Sequence, residues 1–82
     1  MKFRRHPTAE FVHEDGRVIS FQLWGARRGH FTFCISKSNQ TGEIKASVKP
    51  IDTAPYDGTR LDLGVFPSME TAEKACHTFK PS

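Results

Sequence analysis

The chain predicts a small α+β domain: an antiparallel sheet of four or five strands with one C-terminal helix packed on one face. Three observations carry that expectation. Residues 60–66, RLDLGVF, alternate with a period of two and lead directly into a segment of helical period beginning after Ser68. Upstream, residues 18–24, 31–35 and 44–48 alternate in the same manner and are separated by glycine-bearing turns. At 82 residues there is material for one core, which removes roughly 60% of the unfolded surface from water.

Taken in order, residues 1–8 carry Lys2, Arg4 and Arg5 around Pro7 and are expected to form a flexible basic arm, with Arg4 and Arg5 as further phosphate contacts. Asp15-Gly16 between alternating runs signals a two-residue hairpin of type I′, which faces Glu14 with Arg17 and Val12 with Ile19. Gly25 and Gly29 bound the next connection. Closing it as a hairpin sets Leu23 against Phe31, Phe21 against Phe33 and Ile19 against Ile35. The turn Asn39-Gln40-Thr41-Gly42 then brings Ile35 to Ile44, Phe33 to Ala46 and Phe31 to Val48.

Residues 50–59, PIDTAPYDGT, read as a loop leading to the last strand, where Leu61, Leu63 and Val65 are expected to point inward. Ser68 is the helix N-cap. Met69, Ala72, Cys76 and Phe79 share one helical face, while Glu70, Glu73, Lys74 and His77 take the other.

Composition limits function. Twelve basic and nine acidic residues give a net charge of +3, which tolerates an anionic partner without demanding one. No run of ~18 apolar residues occurs, so no membrane partner is expected. Two cysteines without a secretory leader favour reduced thiols and a cytoplasmic location. Nothing suggests an enzyme. His30 and Cys34 lie four strand residues apart, ~13 Å, too far for a nucleophile and its base. Cys76 and His77 are helix neighbours about 100° apart, and the cysteines fall on opposite sides of the sheet, so neither a metal site nor a cofactor is expected. No small-molecule substrate is evident.

On this reading the outward rungs are Ser20, Cys34 and Lys45, then Gln22, Thr32 and Ser47, then Trp24, His30 and Lys49. The face is expected to bind nucleic acid through Gln22, Trp24, Arg27, Arg28, His30, Lys45, Lys49 and Arg60: cations for phosphate, Gln22 for a base edge, Trp24 for stacking. The alternative is a protein partner or a homodimer, docked on Phe11, Val18 and Trp24.

WGARRGHFTFCIS followed by RLDLGVFPSMETAEKAC resembles the plant ethylene-response-factor DNA-binding domain and the related integrase arm-type domain. The agreement covers about half the chain, at Trp24-Gly25, Arg60, Leu63-Gly64, Phe66, Glu70, Ala72 and Ala75. The resemblance implies a three-stranded sheet backed by a helix, with the sheet entering the major groove. Of the family's contact positions, Trp24 and Arg60 carry over; its glutamate, arginine and last-strand tryptophan fall on Cys34, Ser36 and Asp62.

Overall fold

The computed structural model describes residues 1–50 and 60–80; the connection expected at 50–59 therefore lies, from residue 51 on, outside the described residues. The five strands are β1 (Arg4–Val12), β2 (Val18–Arg28), β3 (Phe31–Ser38), β4 (Ile44–Pro50) and β5 (Leu61–Phe66), followed by the helix α1 (Met69–Thr78). They form one antiparallel meander in chain order, so β5 lies beside β4 at one edge and β1 closes the other. The α+β class is as the alternation predicts.

The helix packs on β3, β4 and β5. Phe33, Ile35, Ile44, Ala46 and Val48 meet Ala72 and Cys76 there in a core that water does not reach. Ser68 caps the helix as expected: its hydroxyl accepts from the Thr71 N–H at 3.2 Å, while the Thr71 hydroxyl accepts from the Ser68 N–H. At the other end the Arg28 guanidinium donates to the carbonyls of His77, at 2.6 Å, and Phe79. Those carbonyls lack helical partners, and a cation there also suits the helix dipole.

Register departs from the sequence expectation in β2, with large consequences. The strand does not stop at Gly25 but continues to Arg28 and turns at Gly29-His30, so Ala26 faces Phe33, Trp24 faces Ile35 and Leu23 faces Ser36. Gly29 has φ 60 and His30 does not share a positive φ, the pattern of a type II′ turn. The shift is an odd number of residues, so every β2 side chain lies on the opposite face from the one expected. Between β3 and β4 the shift is two residues, with Phe33 against Val48 and Ile35 against Ala46, and the facing is preserved.

The first hairpin also slips. Val12 pairs with Val18 and Phe11 with Ile19, because Glu14-Asp15-Gly16 forms a three-residue loop closed by His13 and Arg17, with Gly16 at φ 86. Residues 4–8, expected in a flexible arm, belong to β1. Phe3 ahead of them packs against the core and meets His77 edge to face at 6.5 Å. A bulge at Pro7-Thr8 absorbs the residue that has no ladder partner and breaks up this edge.

In β5 a bulge at Leu63 turns that residue to the core, while Leu61 and Val65 stand 55% and 59% exposed rather than inward. Beyond the end of β3, the side chain of Gln40 takes the place of a strand partner. Its amide accepts from the Ser20 N–H at 3.1 Å and donates to the Val18 carbonyl at 3.3 Å.

Candidate functional site

With the helix on one face, no other described element covers the opposite face of the sheet, and strand alternation together with the register fixes its rows. One row runs Arg4, Gly25, Cys34, Ser47, Asp62; the next runs His6, Leu23, Ser36, Lys45, Val65. Above them lie Arg27, Thr32 and Lys49. Below them lie Ala9, Phe21 and Ser38, then Phe11 and Ile19. On β3 and β4 the centre is floored by the small side chains of Cys34, Ser36 and Ser47, so a ligand backbone can approach the sheet there.

Charge is segregated along this face. Lys2, Arg4, His6, Gly25, Arg27 and Thr32 line a shallow cleft of about 440 Å³. Lys49 continues the row of Arg27, and Arg60 reaches the same side by donating to the Ser47 hydroxyl at 2.7 Å. Among the described residues, Asp62 is the one carboxylate in these rows. Glu43 sits at the rim and pairs with Lys45 at 3.3 Å. Glu14 and Asp15 occupy the first hairpin tip, Asp15 pairing with Arg17 at 2.6 Å, and Glu70 and Glu73 lie on the helix. Apart from Lys45, which Glu43 pairs, the cations therefore act together, with little cancellation from carboxylates among the described residues.

The opposite end of the face is apolar. Phe11 meets Phe21 edge to face with ring centroids 6.0 Å apart, and the Phe11 ring is 59% exposed. Ile19 and Phe21 floor a second hollow of about 380 Å³, rimmed by polar and charged groups that include Arg17, Gln40, Glu43 and Lys45.

Of the residues expected to form the site, Arg27, Lys45, Lys49 and Arg60 share the helix-free face. Gln22, Trp24 and Arg28 lie on the helix side, because of the odd shift in β2. Gln22 donates to the Asn39 side chain at 2.7 Å, Trp24 packs against the core beneath the Arg5 guanidinium, and Arg28 is committed to the helix end. His30 sits in the β2–β3 turn. Of the apolar docking residues, Phe11 is on the open face, while Val18 and Trp24 are on the other.

Sequence reasoning named Arg4 and Arg5 as phosphate contacts on a flexible arm; Arg4 is on the open face and Arg5 on the helix side. It missed Lys2 and His6, although Lys2, Arg4 and His6 alternate with Phe3 and Arg5 as an edge strand would. Gly25 was the other signal. A glycine inside an alternating run marks a close approach, and here the His6 ring lies over it.

Among the described residues, no group of three histidine, cysteine or acidic side chains converges on a point, and no helix is long and apolar enough to cross a membrane. No protein-family model, curated protein or solved structure matches this chain.

Proposed function

We propose that this chain is a non-catalytic nucleic-acid-binding module that docks through the helix-free face of its sheet. The observation that carries this reading is the charge segregation. Arg4, Arg27, Lys45, Lys49 and Arg60 share one face, floored by Cys34, Ser36 and Ser47, and the acidic side chains lie mostly elsewhere among the described residues. Such a surface attracts a polyanion and holds phosphates at several points. Of the two contact positions that carry over from the ethylene-response-factor and integrase arm-type domains, Arg60 lies on this face and Trp24 does not, so the resemblance adds support at Arg60 alone. Two free cysteines suit a reducing cytoplasm.

Fluorescence anisotropy with labelled oligonucleotides tests the reading. Affinity should fall steeply between about 50 and 200 mM salt, and Lys49→Ala and Arg60→Ala should each lower the log–log slope by about one. Weak binding with a flat salt dependence would refute it.

The contiguous apolar set Phe11, Ile19, Phe21 and Leu23 favours a second reading, a homodimer or protein partner on the same face. Sedimentation distinguishes the two: association that rises with concentration, survives salt and is lost in Phe11→Ala belongs to the second.

A further inference from the structure

Resting on that proposed function, we infer that the ligand is a single strand, whose unpaired bases stack on Phe11 and Phe21 while its phosphates lie toward Arg4 and Arg27. Both groups occupy one face and are bridged by β2: Phe21 and Arg27 are six strand residues apart, or ~20 Å. An extended strand laid along the β2–β3 pair reaches both ends, passing over Cys34 and Ser36 of β3, whose small side chains admit its backbone beside Leu23.

The chemistry of the face selects against a duplex. Phenylalanine has no hydrogen-bonding group and cannot pair with the donors and acceptors of a base edge, but its ring offers a platform to any unpaired base. A duplex hides the flat surfaces of its bases and would set charged phosphates against the exposed Phe11 ring. Bidentate readout of adenine in a major groove calls for a glutamine or asparagine. Gln22, the candidate for that role, is on the helix side and bonded to Asn39. The face therefore keeps its cations and its aromatic pair and lacks that reader.

The test compares a labelled oligothymidylate of about 12 nucleotides, within the range one such surface covers, with the same strand annealed to its complement. The single strand should bind at least about tenfold more tightly than the duplex. Phe11→Ala should weaken single-strand binding roughly 5- to 150-fold, the range one base stack represents, with the salt slope unchanged. Phe11→Trp should retain affinity, and Phe11→Leu, apolar but without a ring, should lose it. Because Phe11 is largely exposed, these variants leave the core intact, and unchanged melting of each verifies it. Duplex binding that equals or exceeds single-strand binding, with steep salt slopes and no effect of Phe11→Ala, would overturn this inference and leave the nucleic-acid reading standing. Salt-insensitive or absent binding of both probes would overturn the two together.

Discussion

The imidazole of His6 occupies the space that a side chain at Gly25 would fill: a Cβ at position 25 would lie 2.3 Å from His6 Nε2. This contact ties edge strand β1 to the middle of β2 inside the cationic cleft. Gly25 is not in the left-handed region, so its backbone tolerates alanine. His6 is exposed, and its ring can swing outward. Gly25→Ala should therefore cost less than about 1 kcal/mol while displacing the imidazole. His6→Ala should relieve what cost there is, and the pair should depart from additivity by about 0.5 kcal/mol or more. Unperturbed His6 ring resonances in Gly25→Ala would contradict this packing.

Core stability concentrates on Phe33, which is 0% exposed, meets Phe79 edge to face at 5.8 Å and lies beneath the Arg28 guanidinium at 5.2 Å. Phe33→Ala should cost about 3–5 kcal/mol, a large share of the stability of a domain this size. Arg28→Ala should cost about 1–2 kcal/mol, since two helix-end carbonyls lose a charged donor. Denaturant titration checks both, and a loss below about 1 kcal/mol for Phe33→Ala would exclude it from the core.

The two thiols should behave differently. Cys34 lies half-buried on the open face, while Cys76 is buried under the sheet, and burial, reinforced by Cys34 and Glu73 and opposed by Arg28, pushes its thiol up to about 11. Cys34 should react with a thiol reagent in the native state and Cys76 only on unfolding. The raised value also predicts a pH dependence. Between about pH 9 and 11 the unfolded thiol has lost its proton and the folded one has kept it, so stability falls as pH rises through that window. The loss should be on the order of 2 kcal/mol by the upper end. Cys76→Ala should remove that part of the alkaline slope. Equal reaction rates for the two cysteines in the folded protein would overturn the assignment.

The helix and its footing were legible in the sequence because their signals are local. Ser68 and the spacing of Ala72 and Cys76 fix a capped helix, and the alternation of β3 and β4 names Phe33, Ile35, Ala46 and Val48 as its bed. The facing of β2 was not legible, because both of its faces carry large apolar groups: Ile19, Phe21 and Leu23 on one, Val18 and Trp24 on the other. Alternation then cannot choose between them, and the choice falls to the turn. Reading Gly25 to Gly29 as the connection, rather than Gly29-His30 alone, moved the register by an odd number and exchanged the two sets. Half of the candidate site was lost with it. Lys45 and Lys49 of β4 and Arg60 survived because their facing depends on neither glycine. The contribution of β1 went unread because its bulge at Pro7-Thr8 interrupts the alternation that would have marked a strand.

Trp24 and Arg27 provide the sharpest check on the facing of β2, since they stand three residues apart and so project to opposite sides of the sheet. Trp24 is half-buried against the core, so Trp24→Ala should cost about 2–3 kcal/mol, somewhat less than truncating a fully buried aromatic. It should leave the nucleic-acid affinity of the folded fraction unchanged. Arg27 is exposed in the cationic cleft, so Arg27→Ala should shift stability by no more than about 0.5 kcal/mol and should lower the salt slope of binding by about one. Measuring melting and oligonucleotide binding on the same two variants separates the faces. If Trp24→Ala abolished binding without loss of stability, and Arg27→Ala destabilised the fold, β2 would have to be turned over, with Ile19, Phe21 and Leu23 beneath the helix and the tryptophan on the ligand.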